Sequence, residues 1–378
     1  MAAEETSERI LQDIKAELAS TPYNFGSARL LTGGTANFIY QARLNQSLPD
    51  GTSEVAIKHG EGFVRQSPDF KLTTSRCRIE ESCLKYLAAF PPYTQSNVSV
   101  TTPKLLYFNK DTNTQVQEYQ PTPLSLKLYA IEHFALLEPA LVRAQCLEIG
   151  RGIGEWLRQF HDWGNSPAQS SLREIALANK DMQSIKHWAN YQQLPNAIKR
   201  YPAVFRDCRD IFTAIVGTST EELKNEKSLQ VIHGDFWTGN ILLQGVRWES
   251  QHMRLFVVDW EMLQVALTPL DLGQMIAELY ELKLYKNLDA GLWLIEGFTK
   301  GYGDVDDNFA FRTLLHVGVH LIGFGTTVPD WGYAEQAEVV AARGRDILLN
   351  AWAKNRRWFD DHALGCIFSS NQVPRVNE

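Results

Sequence analysis

A chain of 378 residues exceeds what one hydrophobic core usually supports, so two domains are expected. Hydrophobic residues make up 44% and charged residues 21%, which excludes a wholly disordered polymer, and a net charge of −7 argues against a broadly basic surface for nucleic acid or anionic membrane. The five cysteines, Cys77, Cys83, Cys146, Cys208 and Cys366, include no C-x-x-C pair and fit a reduced, cytoplasmic protein.

The opening segment, residues 1–18, is acidic and helix-prone and lacks the basic and apolar regions of a targeting signal. Short runs of strand length follow at 28–31, 38–44, 54–59, 104–108 and 115–119, separated by Gly, Asn, Asp and Pro turn signals. One helix interrupts them over 76–90, where Ile79, Cys83, Leu84 and Leu87 recur at three- and four-residue spacing. After the break at Gln120-Pro121-Thr122-Pro123, helical periodicity dominates, with helices expected over 138–162, 170–191, 195–213, 271–284, 289–302, 307–323 and 335–358. Residues 229–258 are the exception and read as short strands. The longest apolar stretch, 314–325, is interrupted by His316 and His320 and is too short to span a bilayer, so it reads as a buried helix. An α+β chain in two lobes is expected: a small β-rich lobe with one helix over 1–119, and a larger, mainly helical lobe over 120–378.

The densest chemistry lies in His233-Gly234-Asp235-Phe236-Trp237-Thr238-Gly239-Asn240, followed by Asp259-Trp260-Glu261. Phosphoryl transfer needs one carboxylate to orient or deprotonate an attacking hydroxyl, while an amide oxygen and a second acid hold divalent metal against nucleotide phosphates. Asp235 fits the first role, and Asn240 and Asp259 fit the second, a donor set suited to magnesium bound by few protein groups. Upstream, Gly33 and Gly34 let backbone N–H groups face phosphate oxygens, although Gly-Gly alone also makes hairpin turns. Lys58 ends the strand Val55-Ala56-Ile57-Lys58, where its ammonium can reach phosphates, with Glu80 on the next helix as its partner.

Leu31-Thr32-Gly33-Gly34-Thr35-Ala36-Asn37, Val55-Ala56-Ile57-Lys58, Glu80, the 233–240 segment, Asp259-Trp260-Glu261 and Leu270-Asp271-Leu272-Gly273 together resemble the aminoglycoside phosphotransferase and choline kinase superfamily of protein-kinase-like folds. The likeness runs over roughly residues 25–350. Within it, the chain is similar to the methylthioribose kinases and the fungal 4-hydroxytryptamine kinases. The resemblance implies a bilobal kinase fold with an antiparallel small-lobe sheet, and ATP and Mg²⁺ as cofactors. It implies phosphate contacts from Gly33, Gly34, Asn37, Lys58 and Glu80, and an adenine-binding linker over Gln117, Glu118 and Tyr119. Glu261 becomes a second metal carboxylate beside Asn240 and Asp259. His233 shapes the loop, and Asp271 holds its backbone or caps the following helix.

The resemblance places the acceptor pocket between the catalytic loop and the C-terminal helices. The candidates there are Trp237, Trp260, His316, His320, Trp331 and Arg343, with Trp293, Tyr333 and Arg345 nearby. Aromatic and acidic groups together can hold an amine by cation–π contact and ion pairing. His316 and His320 stand at zinc-ligand spacing without a Cys or H-E-x-x-H pattern to support a site, so they read as pocket lining or core. Gly344 separates Arg343 from Arg345, unlike the paired arginines of methylthioribose kinases. The expected partner is therefore a small hydroxylated molecule, an amino alcohol, a hydroxylated aromatic amine or a sugar-like acceptor. No nucleic-acid or membrane partner is expected, and the chain is read as monomer or homodimer. A methylthioribose-type sugar kinase and a nucleotide-binding pseudokinase are the alternatives; a protein kinase would show HRD and an APE-bounded activation segment, which this sequence lacks.

Overall fold

The computed structural model describes residues 2–31, 33–95, 97–136, 139–246, 248, 252–328 and 331–368. Thr32 of the Gly-rich segment and Glu138, the first residue of the helix expected over 138–162, lie outside the described residues. In chain order the elements begin α1 (Ala2–Leu18), β1 (Phe25–Leu30), β2 (Phe38–Leu44), β3 (Glu54–His59), β4 (Phe63–Val64), β5 (Ser67–Lys71) and α2 (Ser75–Leu87). Next come β6 (Tyr93–Gln95), β7 (Val98–Thr101), β8 (Leu105–Asn109), β9 (Thr114–Glu118), β10 (Pro123–Ser125), α3 (Leu126–His133) and α4 (Pro139–Gly164). They continue with α5 (Ser170–Ala178), α6 (Lys180–His187), α7 (Asn196–Arg200), α8 (Arg209–Lys224), β11 (Gln230–Ile232), β12 (Ile241–Gln244), β13 (Met253–Val257) and β14 (Gln264–Ala266). The last are α9 (Pro269–Lys286), α10 (Ala290–Tyr302), α11 (Asp307–Ile322), α12 (Ala334–Trp352) and α13 (Arg356–Asp360).

Two compact units emerge. The first comprises the chain up to Phe90, Thr102–Pro121 and the short return Val258–Glu261. Its sheet has the order β1-β2-β3-β9-β8 and is antiparallel throughout. Alternation builds its core: Phe38, Tyr40, Ala42 and Leu44 of β2, Val55 and Ile57 of β3 and Val116 of β9 are buried together. The acidic opening segment completes this core, because Ile10, Ile14 and Leu18 recur every four residues along α1 and pack into the same cluster. Each such large side chain contributes about 1.5–3 kcal/mol by burial.

The second unit holds Pro91–Thr101, Thr122–Val257 and the chain from Met262 onward. Its larger sheet has the order β10-β12-β13-β7-β6, with β13 and β7 parallel and the other pairs antiparallel. A second pair, β11 with β14, sets Ile232 opposite Gln264. Around these lie the helices, with α4 and α10 brought close by Gly150 and Gly154 on one and Gly297 and Gly301 on the other, each facing backbone of the opposite helix.

Several expected helices are interrupted. The segment 170–191 divides at Asn179, whose φ of −83° and ψ of 48° leave the helical region and whose side chain donates to the Leu263 carbonyl at 2.8 Å. The segment 195–213 gives only α7 before Tyr201, at a φ of −131° and ψ of 66°, leaves the helical region ahead of Pro202, and helix resumes as α8 from Arg209 to Lys224. The segment 335–358 stops at Trp352, and α13 starts after Lys354 takes a φ of 51°. The strands β6 and β7 and the helix α3 are additions that periodicity did not indicate. The buried helix expected around 314–325 is α11, and among the described residues no helix is long and apolar enough to cross a membrane.

Candidate active site

In the first unit, charge gathers at the end of β3. The Lys58 ammonium, 8% exposed, lies 2.7 Å from Glu80 Oε2, 2.5 Å from Asp259 Oδ1 and 3.8 Å from Glu261 Oε2. Burial opposes its charge, yet the carboxylates of Asp259, Glu80 and Glu261 outweigh that and hold its pKa above the ordinary lysine value. Glu80 also accepts from the Trp260 backbone N–H at 3.2 Å and from Gln115 Nε2 at 3.1 Å, which fixes its rotamer. Asp259 has a φ of 67°, a left-handed conformation that costs a non-glycine residue about 1–2 kcal/mol and that the Lys58 pairing offsets.

Glu261 turns inward. Its Oε2 accepts from Asn37 Nδ2 at 2.8 Å and from Arg76 Nε at 3.2 Å, and Arg76 returns to Asn37 Oδ1 at 2.9 Å. Burial raises the Glu261 carboxyl above its ordinary pKa, with Asp259 and Glu80 adding to the rise and Lys58 and Arg76 opposing it. Arg76 has no exposed surface and also donates to the Glu61 and Thr73 carbonyls. The turn containing Gly33 and Gly34, with Gly33 at a φ of 119°, is clamped from the β4–β5 hairpin, where Arg65 donates to the Gly34 carbonyl and to the Asn37 carbonyl at 3.1 Å. Gln117 and Glu118 lie in β9 opposite Ala56 and Val55, and Tyr119 follows directly as the chain leaves the sheet.

In the second unit, β11 runs into the loop that carries Asp235. Gly234 has a φ of 83° and lies so close to the Met262 carbonyl that a side chain has no room, so glycine is required between His233 and Asp235. Asp271, at the start of α9, accepts from the His233 N–H at 2.8 Å and the Gly234 N–H at 3.0 Å, and His161 and Tyr302 continue that network behind it. His233 is fully buried and its Nδ1 accepts from the Asp235 N–H at 3.2 Å.

The Asp235 carboxylate is thereby presented with defined faces. Its Oδ1 accepts from Lys186 Nζ at 2.6 Å and Gln274 Nε2 at 2.8 Å, while its Oδ2 accepts from Asn240 Nδ2 at 3.2 Å. Burial alone would raise its pKa, but Lys186, Gln274 and His233 bring it below the ordinary aspartate value, so it is ionised near neutrality. The Asn240 amide nitrogen also donates to the Asp235 carbonyl at 2.9 Å, which directs its side-chain oxygen elsewhere and leaves it available as a ligand.

Residues 46–301 match the model of the phosphotransferase enzyme family. The chain belongs to that family. This phosphotransferase is 25% identical to the phosphotransferase FrzJ of Cladobotryum sp over 380 residues, covering 97% of this chain and 98% of that one. It is 24% identical to a 4-hydroxytryptamine kinase of Psilocybe cyanescens, covering 86% and 88% of the two chains. Among solved structures, amicoumacin kinase hAmiN, in complex with AMP-PNP, Ca²⁺ and Ami, aligns with a TM-score of 0.51 at 12% identity over 92% of this chain and 96% of that one. A choline/ethanolamine kinase family protein from Mesorhizobium loti aligns with a TM-score of 0.50 at 14% identity over 92% and 99%. These likenesses show the bilobal fold expected from the sequence.

The residues expected at the acceptor site of the phosphotransferase each have their own partners. His316 bonds the Tyr191 hydroxyl at 2.8 Å, whereas His320 turns to Glu278 at 3.1 Å, so the two imidazoles do not share a partner. Trp331 is buried, stacked on Tyr285, and has the Lys127 ammonium 3.6 Å from its ring centre. Trp260 is fully buried in the first unit, and Trp237 is half-buried, its ring folded over Gly239. Arg343 is exposed on α12, as is Tyr333 before it; Arg345 is committed to Asp346 and the Val204 carbonyl, and Trp293 is half-buried on α10.

Sequence reasoning missed Arg65, Arg76, Lys186, Gln274, Glu278 and Glu281. A signal existed for three of them: Asp271, Gln274, Glu278 and Glu281 repeat at i, i+3, i+7 and i+10 along α9, a polar stripe on a helix whose whole middle is buried. Asp271 holds the loop backbone, Gln274 holds Asp235, and Glu278 accepts from the loop's Thr238 hydroxyl at 3.3 Å. Glu281, without exposed surface, has no hydrogen-bond partner on either oxygen, and neither has Nδ1 of His320 beside it. Ligand atoms of Glu278, Glu281 and His320 all lie within 4.8 Å of one another.

Proposed function

We propose that this phosphotransferase moves the γ-phosphoryl group of ATP to a hydroxyl of a small amine. The observation that carries the reading is the Asp235 carboxylate, ionised, held on one oxygen by Lys186 and Gln274 and reachable on the other. The acceptor hydroxyl donates to Oδ2, which aims its oxygen lone pair at phosphorus; the new O–P bond forms as the bond to the β–γ bridging oxygen breaks and ADP leaves. In a loose transition state the hydroxyl proton moves late, so a carboxylate of lowered pKa acts first as an orienter. Lys58 and the Gly33–Gly34 turn serve the nucleotide phosphates, and Gln117, Glu118 and Tyr119 the adenine.

Magnesium fits the donors present. Asn240 has an uncommitted amide oxygen, and Asp259, with its side chain 32% exposed, has one carboxylate oxygen on Lys58 and a second oxygen to offer. Bound on Asp259, the ion would offset charge on nucleotide phosphates. Glu261 is the weaker metal carboxylate of the two, since its Oε2 already serves Asn37 and Arg76.

The amine part of the reading rests on α9. Glu278, bonded to the loop's Thr238 and to His320, stands beside Glu281, and an ammonium group is a partner that the Glu281 carboxyl and Nδ1 of His320 lack. Amine acceptors also appear in the names of similar proteins, 4-hydroxytryptamine for one and choline or ethanolamine for another. A sugar clamp from Arg343 and Arg345 is less well supported, because Arg345 already serves Asp346 and Val204.

The test is incubation with MgATP and a panel of ethanolamine, choline, 4-hydroxytryptamine and neutral sugars, with mass-spectrometric detection of phosphate monoesters. Phosphorylation of an amine, abolished in Asp235→Ala and Asp259→Ala, is expected. Products from sugars alone would overturn the amine assignment, and near-normal turnover in Asp235→Ala would remove that residue from the chemical step.

A further inference from the structure

We infer that Lys186 is the positioning residue that sets the catalytic carboxylate, supplied to the loop from α6 rather than from the loop itself. The inference rests on the phosphotransfer reading of Asp235. Its basis is a face of one helix. Asn179, which precedes α6, and Gln183 and Lys186 on it reach the same neighbours: Asn179 Nδ2 donates to the Leu263 carbonyl at 2.8 Å, Gln183 Nε2 to the Val265 carbonyl at 2.6 Å, and Lys186 Nζ to Asp235 Oδ1 at 2.6 Å. The second bond seats α6 on β14, and the first ties the residue before α6 to the residue before β14. In turn β14 pairs with β11 through Val231 opposite Val265 and Ile232 opposite Gln264, and β11 leads directly to Asp235. The ammonium is thus referenced to the same backbone that carries the carboxylate, through two side-chain bonds and a strand pair.

Geometry separates this from a surface ion pair. The Lys186 side chain is 11% exposed and the Asp235 side chain 26%, so solvent screens the pair weakly. Lys186 and Gln274 both take Oδ1, leaving Oδ2 with a single, longer bond to Asn240. Two donors on one oxygen fix the carboxylate plane and select Oδ2 as the oxygen that meets the acceptor hydroxyl. Without the ammonium the carboxylate keeps Gln274 but can rotate, and a misplacement of about 1 Å at a reacting group costs on the order of a hundredfold in rate. Lys186 acts through Asp235 and needs no contact with nucleotide or acceptor.

The experiment compares wild type, Lys186→Met, Lys186→Gln, Lys186→Arg and Asp235→Ala in steady-state MgATP hydrolysis with water as the acceptor, alongside thermal melting and nucleotide affinity measured with AMP-PNP. Expected for Lys186→Met and Lys186→Gln is a fall in kcat on the order of a hundredfold with KM for ATP and AMP-PNP affinity unchanged, and for Lys186→Arg recovery to within about tenfold of wild type. If Lys186→Met does not fold, the Gln and Arg pair carries the comparison, since both keep a hydrogen-bond donor and differ in charge. Unchanged kcat in the neutral variants, an effect on KM alone, or equal loss in Gln and Arg variants would overturn the inference while Asp235→Ala remains dead. Full turnover in Asp235→Ala would instead remove the phosphotransfer reading beneath it.

Discussion

Replacing Gly234 by alanine probes how tightly the catalytic loop is determined. With φ at 83°, an L-residue costs about 1–2 kcal/mol in backbone strain. The new methyl would strike the Met262 carbonyl oxygen and approach Gln264 Nε2 to 2.7 Å. Backbone leading into β14 cannot yield as a flexible side chain can, so overpacking adds about 1–3 kcal/mol. Moving the loop instead stretches the bonds from His233 N and Gly234 N to Asp271, and each buried donor left unpaired costs a similar 1–3 kcal/mol. By either route the second unit should lose about 2–5 kcal/mol in urea unfolding, and kcat should fall on the order of a hundredfold because Asp235 is the next residue. Gly217→Ala is the control: exposed in α8 with nothing near its Cβ position, it should gain about 0.5–1 kcal/mol. A Gly234→Ala protein within about 1 kcal/mol of wild type and with unaltered kcat would refute the reasoning from strain and collision.

Other substitutions test the charge arrangement. Lys58→Met should destabilise the first unit by about 3–5 kcal/mol, beyond any loss of activity, because it strips the cation from Glu80, Asp259 and Glu261; adding Glu80→Leu should restore part of that in thermal melts. Glu281 is held well above the ordinary glutamate pKa by burial and by Glu278, so the folded state binds its proton more tightly than the unfolded state. Its contribution to stability is therefore present below the unfolded pKa and lost as pH rises toward the folded one. Glu281→Gln should gain on wild type from acid to neutral pH in urea titrations, and a stability difference that does not change with pH would show that Glu281 ionises freely.

The small lobe was legible because its elements obey local rules. Alternation bounded β2 and β3 to the residue, and the strand-Lys followed by helix-Glu order brought Lys58 to Glu80. The large lobe was less legible where a side chain overrode periodicity. Asn179 breaks a helix that its neighbours favour because its amide is used by the Leu263 carbonyl, a tertiary bond that no local window reveals. Lys186 was invisible for the same reason: on a half-exposed helix a lysine looks solvated until α6 is seated on β14. His316 and His320, read as pocket lining or core because no further ligand pattern accompanied their spacing, are buried and bonded separately to Tyr191 and Glu278.

The two units balance their carboxylates differently, and the difference bears on where a divalent cation is needed. In the second unit Asp235 faces Lys186, so the acid proposed to meet the acceptor has its charge offset by the protein and stays ionised. In the first unit three carboxyl groups, Glu80, Asp259 and Glu261, face two cations, Lys58 and Arg76, so that one negative charge remains when all three are ionised. Triphosphate brings further negative charge to the same group, and Lys58 cannot offset both without weakening its hold on Asp259. Asp259 is the most exposed of the three acids, the one in a strained backbone conformation and the one whose second oxygen has no role in the clamp around Asn37 and Arg76. A divalent ion on Asp259 would cancel the surplus and let Lys58 turn to phosphate, which is why metal dependence should reside in Asp259 more than in Glu261. Asp259→Asn should abolish the response of activity to Mg²⁺ concentration, whereas Glu261→Gln should mainly lower the melting temperature through the loss of charge at Arg76; equal metal dependence in both variants would refute the division of labour.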